Sequence, residues 1–252
     1  MGKYLKLFET HQQYESYTAS TTFIKPNVSF CIDTPNEVHY NPYVDPCQQY
    51  DYVEIAGIKW ATKNVGACDV TDVGLYFQWG DTQGYTASEV GTGSGQKAFK
   101  WEDYKYGNGT SDPGATGMTK YNGTDGKTVL EASDDAVIAN LGGSWRMPTT
   151  EEFKALSATT TTVWTADYEG SGVSGLVLTS KVDGVTLFFP ASGECFNGSL
   201  KYAGYLGYYW SSSLVIGGKQ SGYYFGFDSR NMAWQNSSLR YLGFNVRAVL
   251  DE

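Results

Sequence analysis

The sequence predicts an α+β protein with two short helices, short antiparallel strands and much irregular structure. Three observations carry that expectation. Thirty glycines in 252 residues punctuate short apolar runs, a pattern of strands joined by turns. In the main domain, helix-start signals stand at two places only, near Ser133 and at Thr149. Hydrophobic residues make up 41% and aromatics 15%, enough to bury a real core and to exclude wholesale disorder. The length suits one large domain, or a large one with a small companion.

Residues 1–49 read as an N-terminal attachment or oligomerisation module. Lys3 to Phe8 alternates like a short strand, and Thr10-His11-Gln12-Gln13 has the form of a capping box. A short helix through Tyr14 and Tyr17 should end before Pro26. So small a segment buries little core alone, and Asn41-Pro42-Tyr43-Val44-Asp45-Pro46 reads as a proline-punctuated linker. Residues 50–252 form the second, larger domain.

In Val53-Glu54-Ile55-Ala56-Gly57-Ile58-Lys59-Trp60 apolar residues alternate before a turn, as in a short strand. The Gly/Thr/Ser-rich stretch from Asp81 to Asp125 has little periodicity and is expected to be irregular surface structure. Ser133 is expected to cap a helix whose first turn holds Asp134 and Asp135 and which ends at Gly142-Gly143. Trp145-Arg146-Met147-Pro148 reads as a short buried strand. Thr149 and Glu152 form a capping box leading into Phe153 and Leu156. After Ser157 only strands and loops are expected, including 175–179, 185–189 and 243–247.

Charge and chemistry exclude several functions. Eighteen Lys+Arg stand against 27 Asp+Glu, for a net charge of -9. No basic run offers a counterion-releasing surface, so no nucleic-acid partner is expected. No apolar stretch approaches a membrane span, so no membrane insertion is expected. The first residues lack the pattern of a secretory signal, which implies cytoplasmic synthesis. The widely spaced Cys31, Cys47, Cys68 and Cys195 read as buried or incidental thiols, with a Cys31–Cys47 bridge open but not required. Both histidines, His11 and His39, lie in the N-terminal module, leaving the main domain no imidazole for a nucleophile–base pair or a zinc site. Asp134-Asp135 and Glu151-Glu152 read as helix-dipole caps rather than acid–base pairs. Gly123-Thr124-Asp125-Gly126 reads as a turn rather than a phosphate loop, and 91–95 as a flexible loop. No catalytic residue, metal site or cofactor is expected.

One stretch does suggest a function. From Ser199 to Gly243 aromatic residues cluster among Ser, Gly and Asn, a paratope-like composition in which tyrosine supplies contact area at low entropic cost. Alternation assigns Tyr223, Phe225 and Phe227 to one strand face as core, with Tyr224, Gly226 and Asp228 on the other. Phe244 and Val246 should point inward, and Tyr209-Trp210 should be mainly structural. The candidate ligand-binding residues are then Tyr202, Tyr205, Leu206, Tyr208, Val215, Ile216, Tyr224, Gly226, Asp228, Arg230, Asn231, Gln235, Asn236, Tyr241 and Leu242. The competing reading is that they merely cover the end of a sheet.

A resemblance sharpens this picture. The segments 60–67 (WATKNVGA), 74–80 (GLYFQWG), 142–149 (GGSWRMPT), 188–193 (FFPASG), 207–213 (GYYWSSS) and 243–247 (GFNVR) closely resemble, in order, the major-paralogous-domain family of gut Bacteroidetes and their phages. That resemblance implies a C-type lectin-like fold of the formylglycine-generating-enzyme subtype. Some members are variable proteins of diversity-generating retroelements, in which mutagenic reverse transcription at template adenines rewrites exposed codons near the C-terminus. Randomised AAY codons yield Tyr, Asn, Ser, Gly, Asp, Val, Ile and Leu, residues that populate the spaces between Gly207, Trp210, Phe227, Arg240 and Gly243, so the variable region is expected at about 200–242. Lys219, Met232, Trp234 and Gln235 do not arise from AAY codons. Segments 8–11, 26–29 and 37–42 resemble a leader of Bacteroidetes phage structural proteins.

The oxidase branch of the fold holds copper with a closely spaced cysteine pair, whereas Cys68 and Cys195 stand far apart in sequence. The motifs of calcium-dependent sugar-binding lectins are missing. The resemblance therefore implies a non-enzymatic protein that presents a diversified surface to a host-cell receptor, protein or glycan, and is carried on a phage tail through residues 1–49. Trimers are usual among phage receptor-binding proteins, although nothing in residues 1–47 specifies one. The alternatives are a fixed adhesin of the same fold and, from a different class, a thiol- or copper-dependent oxidase.

Overall fold

The computed structural model describes residues 28–34, 37–42, 47–230 and 233–251, so the strand expected at Lys3–Phe8 and the helix expected around Tyr14 lie outside the described residues. The chain divides into two compact units, 1–45 and 46–252. In the first, β1 (Val28–Thr34) and β2 (Glu37–Pro42) pair as an antiparallel hairpin, with Phe30 opposite Tyr40 and Cys31 opposite His39. Asn41 and Pro42, expected to open a linker, are instead the last residues of β2.

The second unit begins with β3 (Tyr52–Ile55) and β4 (Ile58–Asn64), so the stretch expected to alternate before a turn instead contains the turn, at Ala56-Gly57, where both residues adopt positive φ. The last strand, β14 (Arg247–Leu250), pairs antiparallel with β4 on one side and with the two-residue β5 (Trp145–Arg146) on the other. A four-stranded sheet of order β3-β4-β14-β5 results. One of its two interior strands, β14, follows every other strand in the chain, so it closes the domain onto its own beginning.

The two expected helices form. Helix α1 (Ala136–Leu141) starts later than expected: Ser133 sits within a preceding 3-10 turn, and the cap is Asp135. The Asp135 Oδ1 accepts from the backbone N–H groups of Val137 (2.8 Å) and Ile138 (3.1 Å), and Oδ2 accepts from Met147 N–H (2.9 Å). A carboxylate that ties off two orphan donors and also holds the next strand outcompetes a serine for this position. The helix ends at Gly142, whose φ of +68° suits a residue without a Cβ. Helix α2 (Thr150–Thr159) carries the expected Thr149/Glu152 capping box and runs past Ser157. Arg146 and Glu152 pair at 2.6 Å, locking β5 to the start of α2.

Three further antiparallel groups complete the fold. They are the meander β6 (Thr160–Thr165), β7 (Gly175–Ser180) and β8 (Thr186–Pro190), the hairpin β9 (Glu194–Phe196) and β10 (Ser199–Lys201), and the meander β11 (Leu206–Leu214), β12 (Ser221–Asp228) and β13 (Ala233–Leu239). The fold is α+β, with two short α-helices and many short antiparallel strands in small sheets among the described residues.

The last meander lies inside the domain rather than on it. Tyr209, Phe225 and Phe227 pack with Phe153, Leu156, Leu178 and Phe189 on one face. Trp210 and Tyr224 pack with Trp79, Tyr121 and Phe244 on the other. Both faces of β11 and β12 are therefore covered, as strands between two apolar layers must be. Gly207 is required where the layers meet, because a Cβ there would come within 2.1 Å of the Phe227 ring.

The stretch 81–125 is irregular, as expected, and many of its residues are exposed, but it is not surface structure alone. Phe99, Trp101, Tyr104, Tyr106, Met118 and Tyr121 are all buried. The phenols make the irregular backbone tolerable: Tyr104 donates to the Trp79 carbonyl (2.8 Å), while the Tyr121 hydroxyl donates to Asp134 (2.6 Å) and accepts from Glu131 N–H (2.9 Å). Glycine and serine content marks loops but says nothing about where the aromatics between them point.

Two polar devices hold the layers together. The fully buried Arg247 guanidinium donates to the carbonyls of Ala61, Thr62 and Phe188, each at 3.0 Å, and to Asn64 Oδ1 at 2.7 Å. It also stacks over the Phe189 ring at 4.4 Å. Burial pushes its pKa down to about 10, so it remains charged at neutral pH. The second device is a disulfide between Cys47 and Cys68. It corrects the expectation that these two are incidental thiols and leaves Cys195 as a buried free thiol.

Candidate functional site

The antiparallel order β11-β12-β13 sorts the expected ligand residues into groups. Leu206 pairs with Asp228, and Ser221 with Leu239. The turn 202–205 and the turn at 229–230 therefore share one end of the sheet, and the turn 215–220 stands at the other. At the usual rise per residue, the eight residues of β12 separate the ends by roughly 24 Å. Residues adjacent in a list are thus not adjacent in space.

At the first end Tyr202 and Tyr205 are 53% and 70% exposed. Their backbone is nevertheless fixed. Tyr205 N–H and Leu206 N–H both donate to the Tyr202 carbonyl at 3.0 Å, Gly204 N–H donates to Ala191 at 2.7 Å, and Gly193 N–H donates to Leu206 at 2.8 Å. Tyr202 itself adopts φ +60°, a left-handed conformation that is uncommon for a bulky residue and is held here by those bonds. Across the ladder the Arg230 side chain is largely exposed, and its Nε donates to buried Asp228 at 2.7 Å. Asp228 also accepts from Arg230 N–H at 2.9 Å, so it braces the turn that carries the arginine.

At the other end Ile216 is 81% exposed and Val215 is half-buried. Asn236 is exposed on β13, opposite Tyr224. Gln235 is placed by its backbone opposite Phe225, and Asn231 lies outside the described residues.

The remaining expected residues lie within the packed layers. Tyr224, Gly226, Asp228, Tyr241 and Leu242 are buried, and Leu206 and Tyr208 are half-buried. Tyr208 stacks on Phe244 with centroids 5.0 Å apart, and Tyr224 meets the same ring edge-on at 5.2 Å. Tyr241 packs 4.7 Å from Trp101. Alternation alone assigned one face of β12 to the core; the second apolar layer covers the other face too.

One residue near the first end carried no signal in the sequence. Glu194, in β9, is a half-buried carboxylate whose pKa is raised by burial, with Lys201 opposing only in part. Among the described residues no hydrogen bond reaches it. Burial, followed by the field of Glu194, pushes the phenols of Tyr208 and Tyr241 upward. A lone Glu in a strand-forming stretch looks like any solvated charge until the strands that enclose it are known.

Elsewhere, a cavity of about 200 Å³ beside the disulfide is lined by Gln49, Asp51, Thr62, Lys63, Cys68, Asp69 and Val70, none of them an expected site residue. Among the described residues no helix is long and apolar enough to cross a membrane. Comparison with protein-family models, curated proteins and solved structures gives no match for the chain.

Proposed function

We propose that this protein is a non-enzymatic receptor-binding protein of the C-type lectin-like class, whose diversified C-terminal surface is displayed on a phage tail for host attachment. The observation that carries the reading is the division of the last meander. Trp210, Phe227, Arg240 and Phe244, positions fixed in the resemblance, are buried. Tyr202, Tyr205, Ile216 and Arg230, which fall in the spaces between the fixed positions, are exposed on short turns. A scaffold that keeps its backbone by buried packing tolerates changes on such turns at a cost within about ±0.5 kcal/mol.

Two features bear on the oxidase alternative. The Cys68 sulfur is bonded to Cys47, and the Cys195 thiol is buried, with burial pushing its pKa up and so disfavouring the thiolate. The two are not a free pair for copper. A disulfide also persists better outside a reducing cytosol, which suits a displayed protein.

Deep sequencing of the gene's 3′ end in a population grown from one clone with its native locus tests the proposal. Substitutions confined to codons of about 200–242 and traceable to template adenines are the expected result. An unvarying 3′ end with intact host adsorption would favour the fixed adhesin instead.

A further inference from the structure

The hairpin β9–β10 is clamped between the last two motifs of the chain. Gly193 bridges Gly207 in parallel, and Cys195 bridges Gly243 in antiparallel fashion. Continued by one residue, these bridges bring the Glu194 backbone level with Tyr208 and Phe244, and alternation turns Glu194 to the side opposite the fully buried Cys195. Phe196, two residues on, shares that side and lies 6.2 Å from Tyr241. Glu194 is thus a half-buried carboxylate on the strand face it shares with Phe196, and its charge acts on the phenols of Tyr208 and Tyr241.

The chain's own cation shows what this place accepts. Lys201 is the direct cross-strand partner of Glu194. Its ammonium is held over the Phe196 ring at 4.6 Å rather than in contact with the carboxylate. Burial, followed by the charges of Glu194 and Glu102, raises the Tyr241 phenol. Aromatic faces combined with a partly desolvated carboxylate favour an ammonium group over a neutral hydroxyl ligand.

We propose that Glu194, with Tyr208, Phe196 and Tyr241, is a subsite for an ammonium group, such as a lysine side chain or amino-sugar of the receptor, with Lys201 as its internal competitor. This rests on the reading that the Tyr202 end of the sheet is a ligand surface. It adds a fixed, charge-specific anchor beside the residues expected to vary.

The test uses the full chain with 13C-labelled tyrosine, titrated with choline chloride, with sodium chloride at equal ionic strength, and with galactose. Saturable shifts of Tyr208 and Tyr241 with choline alone are expected. Glu194→Gln should weaken the apparent affinity about tenfold while leaving the unliganded tyrosine spectrum native. Lys201→Met should strengthen it severalfold. Choline shifts unchanged in Glu194→Gln, or saturation by galactose but not choline, would overturn the proposal. So would the absence of any saturable shift. Host adsorption that is lost in Tyr205 or Arg230 variants but untouched by Glu194→Gln would sink this subsite and leave the receptor-binding reading standing.

Discussion

The middle of the β11–β12 ladder and its two ends are built from similar residues yet do opposite things. In the middle, Tyr209, Trp210, Tyr224 and Phe225 are enclosed by two aromatic layers. At the ends, Tyr202, Tyr205 and Ile216 stand in solvent on turns whose backbones are pinned by hydrogen bonds. Residue type does not separate the two regions, since tyrosine serves both. What separates them is whether a second layer is present to receive the side chain. Rigidity in the middle is therefore the condition for freedom at the ends.

Breaking the middle should cost most. Arg247→Ala leaves Asn64 Oδ1 and three carbonyls without their donor in the core. A loss of roughly 3–5 kcal/mol is expected in urea denaturation. A loss below about 1 kcal/mol would mean that the layers do not depend on this clamp. Removing the Cys47–Cys68 bridge, which closes a separation of 21 residues, should cost about 3 kcal/mol. Comparing melting of the intact chain with and without reductant checks it, and an unchanged midpoint would count against the bridge as a staple.

An intermediate effect is expected at Asp134, beneath the aromatic loop. Burial works against its ionisation, but hydrogen bonds from Lys120, Tyr106 and Tyr121, with the field of Lys105, hold its carboxyl well below the usual range. A depressed folded-state pKa gives stability that is present above the ordinary carboxylate value and is lost as pH falls below it. Asp134→Asn should therefore cost roughly 2 kcal/mol at pH 7. The gap from the parent should narrow below about pH 4. A gap that stays constant down to pH 2 would place the effect in packing instead.

The smallest stability changes are expected at the ends, and there the two ends can be told apart. Tyr205→Ser and Ile216→Asn should each shift stability by no more than about 0.5 kcal/mol. Because they stand at opposite ends of β12, only the variant at the recognition end should reduce host adsorption. Equal loss from both would mean that the receptor spans the whole sheet edge.

Much of the architecture was legible in the residues. The Thr149/Glu152 box and the Gly142 stop are local, since each is decided by hydrogen bonds or backbone freedom within a few residues. The inward positions Tyr209, Trp210, Phe225, Phe227 and Phe244 were legible too, through alternation and size. The same signals could not show that Tyr224 and Asp228 are buried, because alternation counts faces without knowing what lies beyond them. Nor could they show that the glycine-rich stretch 81–125 folds its aromatics into the core, or which cysteine meets Cys68.

By itself, then, the sequence determined the α+β class, where α1 stops and where α2 starts, and a C-terminal stretch rich in residues suited to recognition. Tertiary structure alone decided which tyrosines are scaffold and which are surface. It also split the candidate residues between two ends of a sheet and brought the charge of Glu194 to bear on the phenols of Tyr208 and Tyr241. The physical reason is range: capping and turning are settled over a few bonds, whereas burial and electrostatic environment depend on strands that meet only after the chain has closed, as β14 does between β4 and β5.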